Sequence, residues 1–223
     1  MINYIKTSTP DIGIEEQSKK IASLLKEQKK VAWFICGGSN IGTAVSVMNK
    51  VRSEVPEPLL ANLIVSQTDE RYGKIGHKDS NWQQMIVAGF PFAGINFYPI
   101  LRNESLEDTV VKFGKEVRDI FASVDVIVGL FGIGPDGHIA GILPHTPAVS
   151  DKSTTTGYVA EPFTRVSLSF PSLRKFNFAY TFAFGEAKRE ALINLKEKDL
   201  SLDEEPAQIL KEIAEAYLYS DQV

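Results

Sequence analysis

The residues best suited to chemistry sit in one short turn, Gly132-Ile133-Gly134-Pro135-Asp136-Gly137-His138, directly after an apolar run. Two glycines and a proline bend the chain there, and a carboxylate and an imidazole follow two residues apart. Histidine suits general acid–base work because its reference pKa of about 6.5 lies near operating pH. The same turn is expected to open a helix at Asp136 to His138. His77 and His145 lack such neighbours and read as structural or exposed. One His, one Asp and no cysteine cluster do not make a zinc site.

Three other polar clusters, at Gly37–Asn40, Asp69–Arg71 and Gly185–Lys188, also follow apolar runs. Gly37-Gly38-Ser39-Asn40 allows two readings: a tight strand-to-helix turn capped by Ser39 or Asn40, or a cradle whose amides and helix dipole take a phosphate. It lacks the Gly-Lys-Ser/Thr ending of a Walker loop and the G-x-G-x-x-G spacing of a dinucleotide site. Asp69-Glu70-Arg71 caps a helix, or turns Asp69 and Arg71 to a cleft; Asp79-Ser80-Asn81 caps the next helix or reaches the same cleft. Lys188, after Gly185, is either a solvated helix lysine or a point charge for phosphate. Arg165 pairs on the surface or clamps phosphate through two donors. It opens its strand, so it reaches a cleft only if that strand runs antiparallel. Cys36 is expected to pack.

These clusters need a scaffold. Helices are expected at 15–28, 43–51, 82–88, 106–121, 186–195 and 206–216, from apolar stripes and flanking signals. The helix at Leu106 is announced by Ser105 and Asp108, at capping-box spacing. Strands are expected at 31–36, 63–66, 95–98, 124–131, 165–170 and 178–184, several of them continuous apolar runs that suit burial on both faces. The threonine-rich stretch 150–157 reads as a loop. Strands alternating with helices give βαβ units and a mostly parallel sheet. Ligands in such sheets bind outside the carboxyl ends of the strands, where most of these clusters lie.

The bulk composition narrows the function classes. The 223 residues are 43% hydrophobic, enough for a substantial core. A net charge of -4 gives no reason to expect nucleic acid or an anionic membrane as partner. The single cysteine rules out an intrachain disulfide and fits a reducing cytoplasm. Residues 1–10 show no secretory signal pattern, and no apolar run approaches the ~20 residues that span a bilayer. No repeat or linker divides the chain, so one domain over 1–223 is expected.

Taken in order along the chain, the motifs resemble the 6-phosphogluconolactonase family, within the superfamily that includes glucosamine-6-phosphate isomerase/deaminase. G-G-S-N resembles that family's G-G-S-T-P loop, and T-D-E-R with D-S-N its D-E-R…S-N segment. G-I-G-P-D-G-H-I-A is similar to G-x-G-x-D-G-H-x-A, R-V-S-L-S-F-P-S-L to R-x-T-L-T-x-x-x-L, and G-E-A-K to G-x-x-K. After Ala140 the deaminase branch continues F-N-E-P, whose Glu moves protons. Here Leu143 stands at that position, and G-I-L-P-H better resembles the lactonase S-L-F-P-G. Arg71 also fits the lactonase pattern. Asn40 and Ile41 depart from Thr-Pro, Gly141 from Ser and His145 from Gly, which bears on the substrate more than on the reaction.

The resemblance implies a three-layer α/β fold, modified Rossmann-like, with helices on both faces of the sheet. It implies hydrolysis of 6-phospho-D-glucono-1,5-lactone, a step of the oxidative pentose phosphate pathway, in the cytoplasm. The phosphate would rest on the Gly37–Asn40 loop, against the amides of Gly38 and Ser39, held also by Arg165 and Lys188. His138 would act as general base on water, Asp136 or Asp69 would orient the imidazole or the water, and Arg71 would steady the oxyanion. No metal or organic cofactor is implied, and the expected partner is a small sugar phosphate bound by a monomer or homodimer. The alternatives are an amino-sugar-phosphate isomerase/deaminase and a non-catalytic sugar-phosphate binder.

Overall fold

The computed structural model describes residues 1–223. Ten strands and six helices alternate: β1 (Ile2–Lys6), α1 (Asp11–Lys26), β2 (Val31–Ile35), α2 (Ile41–Glu54), β3 (Leu63–Gln67), β4 (Asp69–Arg71), α3 (Asn81–Val87) and β5 (Asn96–Tyr98). Then come α4 (Leu106–Ser123), β6 (Val126–Phe131), β7 (Thr155–Tyr158), β8 (Arg165–Leu168), the single turn α5 (Phe170–Leu173), β9 (Phe178–Phe182), α6 (Arg189–Glu197) and β10 (Glu215–Ser220). Seven strands form one wholly parallel sheet in the order β1-β10-β9-β6-β2-β3-β5, and β4-β8-β7 form a small antiparallel sheet.

Three layers follow from which face each strand residue buries. In β2, Val31, Trp33 and Ile35 join the core shared with α1 and α2, while Ala32 and Phe34 join the opposite core. A strand alternates its side chains, so a strand with apolar residues at every position must be covered on both faces. One cover is built from α1, α2 and α3 through Ile21, Leu25, Val47, Val51 and Met85. The other is built from α4, α6 and the small sheet through Phe113, Val117, Leu192, Leu195, Val166 and Leu168. Ser105 caps α4 as its spacing predicts: its hydroxyl accepts from the Asp108 amide at 3.1 Å and donates to the Asp108 carboxylate at 2.7 Å. No helix is long and apolar enough to cross a membrane.

Four expectations are corrected. Residues 206–216 are not one helix: a 3₁₀ segment, Pro206–Glu212, precedes β10, whose Ala216 and Leu218 are buried. The stripe Ile209, Leu210 and Ile213 is buried as expected, but the chain then enters the sheet between β1 and β9. The stretch 150–157 contains the start of β7, where Thr155 and Thr156 are buried. β1, short and mixed in polarity, and β4, three charged residues, read as no element. His138 opens no helix, because the chain after it doubles back through bridges pairing Ile139 with Ile133 and Ile142.

Candidate active site

The order of the large sheet creates a crevice. From β2 the chain moves outward to β3, whereas from the neighbouring β6 it moves the opposite way, to β9. The loops leaving the two strands part company and open a cleft at their carboxyl ends, the position where open α/β sheets bind ligands. The pocket found there is about 180 Å³, and only three of its fifteen lining residues are hydrophobic. Its lining includes Gly37, Gly38, Ser39, Asn40, Asp69, Arg71, His138, Arg165 and Lys188, nine of the ten residues singled out from the sequence. The tenth, Asp136, lies behind His138.

His138 and Asp136 are bonded to each other, Nδ1 to Oδ1 at 2.6 Å, and the His138 amide donates to the same oxygen at 3.2 Å. Burial pushes the Asp136 carboxyl up, but the hydrogen bond and charge of His138 outweigh it and hold it at about 2. An ionised carboxylate only accepts, so Nδ1 carries the proton and Nε2 keeps its lone pair in the neutral ring. Nε2 has no hydrogen bond to the protein. The turn is tied at its neck, Gly134 N to His138 O at 2.9 Å and Gly137 N to Gly134 O at 3.0 Å. Gly134 leaves no room for a side chain: a Cβ there would fall 2.0 Å from His138 Nδ1.

The small sheet braces the next few residues. The Tyr158 hydroxyl donates to Gly141 O at 2.6 Å and accepts from Leu143 N at 3.1 Å, and the Ser167 hydroxyl donates to Ala140 O. Gly141 has φ +72°, and a Cβ there would lie 2.7 Å from that of Asp69, so backbone and carboxylate pack tightly. Asp69 is itself buried and accepts from the Thr68 hydroxyl at 2.8 Å.

The Asp69-Glu70-Arg71 triplet performs both jobs considered for it. Glu70 points away from the pocket and caps α3, accepting from Asn81 N at 2.6 Å and Trp82 N at 2.9 Å, with Ser80 Oγ and Gln67 Nε2 also donating. Its neighbours Asp69 and Arg71 line the pocket, as alternation along a strand requires. Ser80 completes the cap through Gln83 N at 3.2 Å. Asn81 reaches the cleft, donating to Asp69 O at 3.0 Å and pressing against Gly37.

Arg165 reaches the cleft because β8 runs antiparallel to β4, which sets Arg165 directly opposite Arg71. Like charges opposite one another destabilise a strand pair. Neither is relieved by a carboxylate, since the arginine ion pairs of this chain are made by Arg102, Arg174 and Arg189. Arg71 donates to Asp79 O at 3.1 Å, and Arg165 Nε is buried without a partner. Lys188 also lacks a carboxylate partner; burial lowers its ammonium pKa and the charge of Asp136 partly opposes this. Three cations without carboxylate partners thus line one pocket together with the Gly37–Ser39 backbone before α2, a setting suited to a multiply charged anion.

Two pocket residues behave structurally. The Asn40 amide nitrogen is committed to Phe131 O at 3.2 Å and Phe182 O at 3.1 Å, tying the loop to the ends of β6 and β9. Burial, reinforced by Asp69, pushes the Cys36 thiol up to about 12, so it packs rather than attacks. Sequence reasoning passed over Phe163, whose ring centroid lies 4.7 Å from Arg71 Cζ and 5.9 Å from Arg165 Cζ. A lone aromatic ahead of a strand carries no signal that would single it out.

Comparison with known proteins bears on the family and the fold. A 6-phosphogluconolactonase from Synechocystis is 27% identical over 69% of this chain and 68% of its own. One from Thermotoga maritima is 25% identical over 87% and 88%. The crystal structure of a Thermotoga maritima 6-phosphogluconolactonase superposes with a TM-score of 0.82 at 20% identity, covering 99% of this chain and 98% of that one. A monomeric glucosamine-6-phosphate deaminase superposes at 0.77 and 20% identity, over 98% and 96%, so the fold is common to both branches. The sequence pattern of the glucosamine-6-phosphate isomerases/6-phosphogluconolactonase family matches residues 13–218, and the chain belongs to that family.

Proposed function

We propose that this protein hydrolyses 6-phosphogluconolactone to 6-phosphogluconate, with His138 as general base on water. The observation that carries the reading is an imidazole with its Nδ1 proton pinned by an ionised carboxylate, lining a pocket where three cations lack carboxylate partners. The substrate phosphate rests on the amides of Gly38 and Ser39 and is held by Arg165 and Lys188. Anchoring one end of the sugar brings the lactone carbonyl to the imidazole, and orientation of this kind is worth several orders of magnitude. Nε2 takes a proton from water as the oxygen attacks the carbonyl carbon. The imidazolium, steadied by Asp136, returns the proton to the departing ring oxygen, a contribution of about 10²–10⁴-fold. Arg71 faces the oxyanion that forms between these steps. Asp69 directs the water. Every step uses side chains of this chain, without a metal or organic cofactor, and the placement proposed is cytoplasmic.

Leu143 supports the lactonase branch over the deaminase branch. It packs against the hydrophobic core and offers no proton where the deaminase resemblance requires a carboxyl. The test is hydrolysis of freshly generated 6-phosphogluconolactone, corrected for spontaneous opening, beside ammonia release from glucosamine 6-phosphate. Rapid lactone opening that is lost in His138→Ala is the expected result. Ammonia release without lactonase activity would overturn the proposal, and tight phosphosugar binding without turnover of either compound would mark a binding protein.

A further inference from the structure

We propose that Phe163 is a positioning residue that holds the two arginines of the pocket in place through the face of its ring. The inference rests on the proposed function, since it concerns how the same site grips its phosphorylated ligand. Phe163 belongs to neither hydrophobic core and forms no aromatic pair, although it is half-buried. Its neighbours in the loop, Val159, Glu161 and Pro162, are exposed. What its ring meets is charge: Arg71 Cζ at 4.7 Å and Arg165 Cζ at 5.9 Å from the centroid.

The need for such a ring follows from the strand register. Arg71 and Arg165 are direct partners across the β4–β8 pair, and neither has a carboxylate to offset the other. Without ligand they repel, and long side chains that repel will splay towards solvent. A carboxylate between them would settle the repulsion but would also occupy the anion site. An aromatic face attracts both guanidiniums by its quadrupole while leaving their N–H groups free to donate. Phe163 therefore keeps two cations near each other in the empty pocket, so that an incoming phosphate or oxyanion finds its donors already ordered and pays less for immobilising them. The backbone supports this arrangement: Tyr72 N donates to Thr164 O at 2.8 Å, extending the strand pairing to the residue beside Phe163.

The test uses the whole chain with Phe163→Leu and Phe163→Tyr, and a series in which Phe163 is replaced by mono-, di- and trifluorinated phenylalanine, which weakens the ring face at nearly constant shape. Binding of 6-phosphogluconate is measured by calorimetry, independently of turnover, beside KM, kcat and the thermal midpoint. Two cation–π contacts of ordinary strength predict that Phe163→Leu weakens binding and raises KM about threefold to thirtyfold. Phe163→Tyr should restore both to within about twofold, and the fluorinated series should weaken binding stepwise at an unchanged midpoint. Binding that is flat across the fluorinated series, or a Leu variant that binds like the wild type, overturns the role of Phe163 while leaving the lactonase reading intact. A wild-type protein that neither binds 6-phosphogluconate nor opens the lactone sinks both.

Discussion

Replacing Gly134 by alanine isolates the contribution of the imidazole's placement. The φ angle of Gly134 lies outside the left-handed region, so the backbone accepts alanine without strain of its own. The new methyl would sit 2.0 Å from His138 Nδ1, 2.2 Å from Cε1 and 2.6 Å from Asp136 Oδ1, where ordinary contact begins at 3.4 Å. The ring must therefore retreat by about 1.4 Å, the difference between the last and first of those distances. His138 is about one-third exposed, at 34%, so the ring can swing outward rather than push the core apart. The stability loss should then sit at the low end of the overpacking range, about 1 kcal/mol, or roughly 2–4 °C in a chain of this size. The effect on chemistry should be far larger. A 1 Å misplacement at a reacting centre costs about 10²-fold, and complete loss of the base about 10²–10⁴-fold. Because Lys188, Arg165 and the Gly38 amide sit on other segments of the chain, KM should stay within about threefold. The assay is steady-state lactone hydrolysis, with midpoints from differential scanning fluorimetry. A Gly134→Ala protein that keeps more than a tenth of wild-type kcat would show that the position of this ring does not govern the reaction.

Three further outcomes are expected. Lys188→Ala should raise KM for the phosphorylated lactone by about tenfold to hundredfold, the worth of one charge-assisted hydrogen bond; KM for unphosphorylated gluconolactone should barely move. Asp136→Asn should cut kcat by about 10²–10⁴, because the amide no longer selects the Nδ1–H form of His138. The folded Asp136 carboxyl sits near 2, below its ordinary 3.8, so its stabilisation is complete above pH 3.8 and vanishes as pH falls through about 2; midpoints of wild type and Asp136→Asn should converge across that window. Asn40→Ala should lower the midpoint by about 2–12 °C, because it orphans the carbonyls of Phe131 and Phe182 at a cost of about 1–3 kcal/mol.

Much of the central sheet is legible because parallel strands buried on both faces appear as unbroken apolar runs. Val31–Ile35 and Val126–Phe131 each lie within two residues of the bounds their apolar runs predict. Strands that owe their existence to a distant partner carry no such mark. β10 lies between β1 and β9, and its register with Ile2–Lys6 joins segments more than two hundred residues apart. Nothing local in E-A-Y-L-Y-S distinguishes it from the last turns of a helix that a proline announces at Pro206. β4 has three residues, all charged, and is a strand only because β8 lies beside it.

The site divides along the same physical line. Glycine-rich turns after apolar runs, and a carboxylate two residues before a histidine, are local features, and they point to the pocket. The role of Asn40 depends on which carbonyls end β6 and β9, which is a property of the assembled sheet. The reach of Arg165 depends on strand direction, which residue order does not encode. Antiparallel pairing turns the start of β8 towards the end of β4, and that register sets Arg165 opposite Arg71. The electrostatic cost of this register is local, whereas the compensation proposed for it, an anion and the ring of Phe163, lies outside the two strands. A pair of opposed arginines without carboxylates is therefore better evidence for an anion site than either residue read in its own segment.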